Sequence, residues 1–118
     1  MSKLCVVNHI ADYVLSNSES GSIRSHKSAT GNITFTLPSS PSEGIYFYFF
    51  GMEGGASITI ALGNGSHRIN DNSNPVAGQS IWTGILSTGG NTESIMLVYN
   101  GSGEWLTTEK YGVWQPVT

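Results

Sequence analysis

Charged residues are scarce in this sequence. Asp, Glu, Lys and Arg make up 11% of the 118 residues, against about 25% in ordinary soluble domains. The five basic residues are scattered and the net charge is −3, so no basic surface is predicted that could follow a phosphate backbone. Nucleic-acid binding is therefore not expected.

Cysteine and long apolar runs are also nearly missing. The single cysteine, Cys5, excludes an internal disulfide framework and a multi-thiolate metal site. No apolar run is close to the length of a membrane-spanning helix, which needs about 18 residues. The first residues lack the apolar core and the cleavage site of a secretory signal peptide. We expect a protein made in a reducing cytoplasm, with no membrane insertion and no signal-dependent export.

Glycine and proline interrupt the chain too often for long helices. Beyond the first 20 residues, no stretch free of Gly and Pro exceeds ten residues, which suits strands of about 5 to 6 residues better than helices of about 11 to 12. Alternation of apolar and polar residues predicts strands at 32–37 and 57–62. The apolar run 94–99, the turn 100–103 and the segment 104–108 predict a hairpin. Weaker strand signals occur at 13–15, 81–86 and 111–114.

About six to eight short strands at roughly ten-residue spacing predict an all-β fold, an antiparallel β-sandwich or jelly-roll-like domain. We expect this single domain over 11–118 and a short N-terminal arm over 1–10. An apolar stripe in the first 20 residues would also allow a short helix there, but an extended arm leading into a strand is favoured. Chain ends are mobile unless docked, so Leu4, Val6 and Val7 are predicted to dock on another protein.

The segment 44–50 is apolar on both faces. One face would carry Ile45, Phe47 and Phe49, and the other Tyr46, Tyr48 and Phe50. A two-sheet sandwich buries only one face of each sheet, so the second face needs a cover. Loops of the same domain could supply that cover, but large aromatic patches usually mark interfaces. We therefore predict that Tyr46, Tyr48 and Phe50 lie in an oligomer interface.

Several short motifs follow one another in a recognisable order. They are Asp-Tyr-Val-Leu at 12–15, Ser-Gly-Ser-Ile at 20–23, the run 28–38, Gly-Ile-Tyr-Phe at 44–47, Ser-Ile-Thr-Ile at 57–60, Gly-Gln-Ser at 78–80, the run 98–105, and Gly-Val-Trp at 112–114. This order resembles the small β-domain of tailed-bacteriophage virion proteins, used in head decoration proteins and in the knobs of head and tail fibres. The resemblance covers about residues 10–114.

That resemblance implies an antiparallel β-sandwich or jelly-roll-like domain that is often trimeric, non-enzymatic and bound to the virion. Fibre proteins usually carry a long shaft before the knob, whereas only a short segment precedes the first predicted strand here. The resemblance therefore implies a capsid decoration or cap protein, made in the host cytoplasm. It would form a homotrimer, dock on the major capsid protein or another virion protein, and stabilise the particle. The alternative is a receptor-binding fibre tip that recognises a host-surface saccharide or protein. A cellular lectin-like sandwich is a third, disfavoured alternative.

Three tryptophans, Trp82, Trp105 and Trp114, admit two interpretations. Filling of the core or of an interface is favoured, whereas in the receptor-binding alternative their rings would stack on a saccharide. Trp105 is predicted to cover Leu97 or Tyr99 across the hairpin, with a turn carbonyl accepting its indole N–H.

No residue pattern indicates catalysis or a cofactor. His9, His26 and His67 have no spacing that places two of them on one strand face, and metal ligation by one of them across a trimer axis is the less favoured alternative. Asp71 lies in a polar run that could hold Ca²⁺ through oxygen ligands, but a solvated turn is favoured because the run has one carboxylate and no glycine-turn pattern. Without a nucleophile elbow or paired carboxylates, the sequence predicts no enzyme, no metal and no cofactor.

Overall fold

The chain forms two β-sheets, and its strands alternate between them along most of the sequence. The structure, a computed structural model, describes residues 5–9, 11–25, 32–51, 57–70, 77–82, 93–112 and 114–116. In chain order the strands are β1 (Cys5–Asn8), β2 (Tyr13–Val14), β3 (Ser22–Ser25), β4 (Ile33–Thr36), β5 (Tyr46–Gly51), β6 (Ile58–Ala61), β7 (Arg68–Asn70), β8 (Ile81–Trp82), β9 (Glu93–Tyr99), β10 (Glu104–Tyr111) and β11 (Gln115–Pro116). The helix in these ranges is one 3-10 turn at Asn17–Glu19. The prediction of an all-β fold is confirmed.

The two sheets are mixed. The first has the order β1-β3-β5-β9-β10-β7, and the second has the order β11-β8-β6-β4-β2. Strands β1, β3 and β5 run parallel, as do β2, β4 and β6. These strands are parallel because the chain, after each strand, forms a strand of the other sheet and then re-enters the first sheet in its original direction.

An antiparallel arrangement, as predicted from the sequence, is wrong for much of the fold. Among the described strand pairs, five are parallel, including β10 with β7. The antiparallel pairs join β9 to β5 and β10, and β8 to β6 and β11. Alternation within a strand reports which of its faces is buried, and it carries no information on the direction of the neighbouring strand.

One hydrophobic core joins the two sheets. The Phe35 ring of β4 lies 5.3 Å from the Phe49 ring of β5, measured between ring centroids. The alternation predicted for the second sheet is present, because Ile33 and Phe35 of β4 and Ile58 and Ile60 of β6 are buried. These strands therefore lie close to where the sequence predicts them.

The predicted hairpin joins β9 to β10. Asn100 N–H donates to the Glu104 carbonyl at 2.9 Å, and Gly101 and Gly103 both have positive φ, at 83° and 85°. Glycine reaches this region without the steric cost of a Cβ. The Asn100 side-chain oxygen also accepts the Ser102 N–H at 2.8 Å. The turn is therefore held by its own asparagine as well as by the strand pairing.

The N-terminal segment, predicted as an extended arm, contains a strand of the first sheet. Cys5–Asn8 forms β1, which pairs with β3 at the edge of the first sheet. The predicted strand at 13–15 is present as β2, and the described residues around it contain no α-helix. The predicted strand at 111–114 is displaced, because β10 ends at Tyr111 and β11 begins at Gln115. The part of the predicted strand 81–86 beyond Trp82 lies outside the described residues.

Candidate functional site

The outer face of the first sheet carries apolar side chains on five strands. Register places Val6 beside Ile23, Ile23 beside Tyr48, and Tyr48 beside Met96. A second row runs from Tyr46 to Val98 and Leu106, and a third from Phe50 through Ser94 to Tyr111. We call this surface the aromatic face and define it by its apolar members, Val6, Ile23, Tyr46, Tyr48, Phe50, Met96, Val98, Leu106 and Tyr111.

The centre of the aromatic face is an ordered stack of rings. The Tyr48 and Phe50 rings are nearly parallel, at 8°, with centroids 4.7 Å apart. A cleft of about 490 Å³ lies against them, lined also by Ser94, Tyr111 and the neighbouring charged pair Glu109 and Lys110. Tyr111 is 70% exposed, so this aromatic cluster is open to a partner.

The three residues predicted for an interface lie together on this face. Tyr46 is exposed, and Tyr48 and Phe50 are half-buried, whereas the opposite side of the same strand, with Phe47 and Phe49, is fully buried in the core. The two-faced pattern read from the sequence is thus present in the structure. Their role as an oligomer interface stays a prediction.

A second surface lies where β1 and β3 meet the 3-10 turn. It is a cleft of about 420 Å³, which we call the Arg24 cleft, lined by Cys5, Val7, His9, Tyr13, Ser18, Glu19, Ser20, Ser22 and Arg24. Arg24 is only 3% exposed in a chain with five basic residues. Burying a guanidinium is costly unless its charge is paired and its N–H groups are hydrogen-bonded.

Three neighbours hold the Arg24 guanidinium. Its Nε donates to Ser22 Oγ at 2.8 Å, its Nη1 donates to His9 Nε2 at 3.3 Å, and its Nη2 forms an ion pair with Glu19 Oε2 at 3.2 Å. The Tyr13 ring lies 5.4 Å from the guanidinium carbon, in cation–π contact. Because an arginine can only donate, His9 Nε2 must accept, which requires the neutral imidazole.

The same contacts shift three ionisation equilibria. Burial, and then the charge of Arg24, lower the pKa of His9, against the opposing effect of Glu19. Burial alone would raise the pKa of Glu19, but hydrogen bonds from Tyr13 and Ser16 and the charge of Arg24 outweigh it and lower that pKa. The hydrogen bond to Glu19 raises the pKa of Tyr13. The cluster therefore favours an ionised Glu19 beside a neutral His9 and a neutral Tyr13.

The predicted docking residues are only partly described. Val6 and Val7 both lie in β1, where Val6 is 58% exposed on the aromatic face and Val7 lines the Arg24 cleft. Leu4 lies outside the described residues. The predicted contact of this segment with another protein stays a prediction, but its shape is a sheet edge and not a free extension.

The predicted stacking platforms do not fit the receptor-binding interpretation. Trp105 is fully buried, with ring centroids 5.2 Å from Tyr99 and 6.2 Å from Phe47. Trp114 is buried too, and its indole N–H donates to the Ser94 carbonyl at 3.1 Å. Neither ring offers a face to a ligand, so core packing is the correct interpretation for both. Trp82 lies in β8, and its side chain is outside the described part.

One detail of the Trp105 prediction is wrong. The prediction that a turn carbonyl accepts its indole N–H fails, because no acceptor for Trp105 Nε1 is found around the described side chain. The turn instead directs the Gly103 N–H to the Tyr99 hydroxyl at 2.9 Å. Trp105 is therefore held by packing and not by a hydrogen bond of its indole.

The other polar residues singled out in the sequence are not brought together. His9 and His67 are both buried but belong to separate clusters, since His67 Nε2 lies 3.4 Å from the Tyr99 hydroxyl. His26 and Asp71 lie outside the described residues. In the described part of the chain, no three His, Cys, Asp or Glu side chains are grouped as metal ligands would be. No helix within that part is long and apolar enough to cross a membrane.

Sequence reasoning missed the Arg24 cleft. Its side chains come from β1, β2, β3 and the turn before β3. Parallel pairing joins β1 to β3, whereas β2 belongs to the other sheet. The one local signal is Ser16 followed three residues later by Glu19, the spacing of a capping box, and Ser16 N–H does donate to Glu19 Oε1 at 2.8 Å. Comparison of the sequence with protein-family models and with curated proteins finds no match.

Proposed function

We propose that this protein is a non-enzymatic structural component of a bacteriophage virion. In this proposal it is a capsid decoration or cap protein that assembles as a homotrimer, docks on the major capsid protein or another virion protein, and stabilises the particle. We interpret its two facing sheets as a β-sandwich of the jelly-roll-like kind. The virion assignment rests on the ordered motifs described above, and the assembly rests on the aromatic face.

The observation that carries the proposal is the size and composition of the aromatic face. Soluble monomers rarely expose broad apolar patches, and such patches mark interaction sites. Removing one Val, Leu or Phe side chain from water contributes about 1.5–3 kcal/mol, so several members together can exceed the entropic cost of association.

The receptor-binding alternative has less support. It relied on tryptophan rings open to a saccharide, and the two described rings, of Trp105 and Trp114, are buried. The aromatic face is better suited to a second sheet than to a soluble sugar because its apolar side chains extend over five strands. Assembly is therefore the function that the geometry favours.

Light scattering of the purified protein at micromolar concentration tests self-association. We expect a mass near three times 12.6 kDa, and a mass near 12.6 kDa would contradict the oligomer. Tyr111→Ser and Tyr48→Ser should shift the protein toward the monomer, because they remove apolar contact area from the aromatic face. Val14→Ser is the matched control, since Val14 is 69% exposed on the second sheet.

Staining of purified particles tests the virion assignment separately. A decoration protein should be present at far more copies per particle than a fibre tip, and added protein should saturate particles stripped of it. Absence of the chain from purified particles would contradict the assignment even if the chain forms trimers.

A further inference from the structure

Among the described strands, β1 lies at the edge of the first sheet. β1 pairs with β3 on one side, and no described residue pairs with its other side. His9 N–H donates to the Ser25 carbonyl of β3 at 2.8 Å. Because N–H and C=O groups of successive strand residues point to opposite sides, Val7 shares the direction of His9. The backbone groups of Val6 and Asn8 therefore point away from β3, to the open side.

This edge lacks the usual protection against strand addition. Natural edge strands carry charges, prolines or bulges that discourage another strand from pairing. The strand β1 reads Cys-Val-Val-Asn, with no charge and no proline, and its pairing with β3 is regular over all four residues. The composition of β1 therefore favours pairing with an added strand.

The Arg24 cleft lies directly beside this edge. Register pairs Cys5 with Ser22 and Val7 with Arg24, and all four side chains line the cleft. A strand added to β1 would keep the same alternation. Every second side chain of that strand would therefore point into the cleft.

The charges in the cleft select the side chain that can enter. Arg24 and Glu19 already neutralise each other at 3.2 Å, so an added carboxylate would face Glu19 and an added ammonium would face Arg24. Of the five N–H donors of a guanidinium, three are used by Ser22, His9 and Glu19. The Tyr13 hydroxyl is a further acceptor beside the guanidinium, which leaves one donor without an acceptor among the described residues. The side chain that enters should therefore be uncharged and should carry an oxygen that accepts from Arg24. An amide side chain meets both requirements and is also long enough to fill the cleft.

We propose that β1 is a docking edge for an extended segment of another protein. That segment adds to the first sheet as a further strand, bonded to the backbone of Val6 and Asn8, and places an uncharged amide side chain in the Arg24 cleft. Backbone bonding supplies affinity and the cleft supplies selectivity, as in other cases of strand addition. The edge shares Val6 with the aromatic face, but it binds through the backbone of Val6 and Asn8 and not through the side chains of that face, so peptide binding and trimer formation are measured separately.

Peptide titration tests the proposal. The probe is a fluorescent, end-capped heptapeptide, Thr-Val-Thr-Gln-Thr-Val-Thr, compared with the same peptide carrying Glu, Lys or Ala at its centre. We expect saturable binding of the glutamine peptide with a Kd below about 1 mM. The other three should bind about tenfold more weakly because they leave an Arg24 donor unpaired or add an unmatched charge.

The decisive variant is Val6→Pro, with Val6→Thr as its matched control. Proline at position 6 removes an N–H that points to the open side and none that bonds β3, which is where proline is tolerated in sheets. We expect Val6→Pro to abolish binding and Val6→Thr to retain it. Amide exchange of the wild-type protein gives a readout without substitution: the peptide should protect the Val6 and Asn8 N–H groups and leave that of Val7 unchanged.

Three results would overturn the proposal. They are failure of every peptide to saturate, binding that Val6→Pro leaves unchanged, and protection of the Val6 and Asn8 amides in the free protein by pairing with a second copy. In the last case light scattering would show an association that Val6→Pro dissolves and Tyr111→Ser does not.

Discussion

Arg24 and Glu19 form an ion pair, 3.2 Å from Nη2 to Oε2, that ties β3 to the 3-10 turn preceding it. The same carboxylate accepts hydrogen bonds from Tyr13 of β2 and from the Ser16 backbone. One side chain thus links both sheets at the end where β1 and β2 form their edges. Glu19 is therefore central to the order of the Arg24 cleft.

We expect Glu19→Gln to destabilise the fold by on the order of 2–4 kcal/mol. The neutral amide keeps the shape but leaves the Arg24 charge buried without its counter-charge, and breaking a buried pair in this way is costly. Urea denaturation measures the loss. The control is Glu43→Gln, at an exposed position before β5 and outside both surfaces, for which the change should stay within about 0.5 kcal/mol. Equal effects of the two variants would contradict the role given to Glu19.

The stability of the fold should fall in mildly acidic solution because of His9. The pKa of His9 in the folded protein is lowered from 6.5, chiefly by burial and then by the charge of Arg24. At pH values between this lowered pKa and 6.5, the unfolded chain therefore binds more protons than the folded chain does. Stability due to this group is therefore complete above about pH 6.5 and is lost as the pH falls through the folded-state pKa. Protonation also removes the acceptor that His9 Nε2 offers to Arg24.

Denaturation curves at a series of pH values, for the wild type and for His9→Gln, test this dependence. The variant lacks the titrating group, so its stability should change less between pH 6.5 and pH 5. Glu19 produces a separate loss at lower pH, because its pKa lies below 4.5 in the folded state. Parallel curves for the two proteins across the upper window would contradict the assignment to His9.

Trp105→Ala should be among the most damaging substitutions in the described part of the chain. The side chain is fully buried between Tyr99 and Phe47, and removing a buried tryptophan costs about 3–5 kcal/mol through lost transfer free energy and the cavity left behind. Thermal and urea unfolding measure it. Val14 is 69% exposed on the second sheet, outside the aromatic face, so Val14→Ala is a control with a much smaller expected loss. Host-cell adsorption lost without a loss of stability would instead revive the saccharide platform.

Much of the fold could be predicted because burial leaves a strong local pattern in some strands. The alternation in β4 and β6 and the Asn-Gly turn after β9 each act within a few residues, and all three were predicted. β3 was not, because its inward residues Ser22 and Arg24 are polar and its outward Ile23 is apolar, which reverses the usual pattern. Parallel pairing was missed as well, since it depends on the path of the chain between the sheets.

The candidate sites divide in the same way. The aromatic face follows from one segment, 44–50, whose two apolar faces are visible in the sequence. The Arg24 cleft depends on side chains from separate segments, and its Arg24–Glu19 pair is meaningful only once β3 is known to turn its polar face inward. A sequence pattern predicts what one strand does, whereas the cleft is a property of several strands together.

The hairpin glycine Gly101 offers a test of backbone strain with a built-in control. Its φ is +83°, and a Cβ at this position would approach Glu43 Oε1 to 2.9 Å and Glu43 Cβ to 3.1 Å. An L-residue pays about 1–2 kcal/mol to hold a left-handed conformation, so Gly101→Ala should destabilise the fold by at least about 1 kcal/mol. Gly65→Ala is the control, because Gly65 has no positive φ and an added Cβ there meets nothing within 4 Å. By restricting the unfolded chain, that substitution should be neutral or slightly stabilising. Urea unfolding measures the free energy of unfolding of the two variants. An equal loss of stability in Gly65→Ala and Gly101→Ala would contradict the conclusion that position 101 needs glycine for its positive φ.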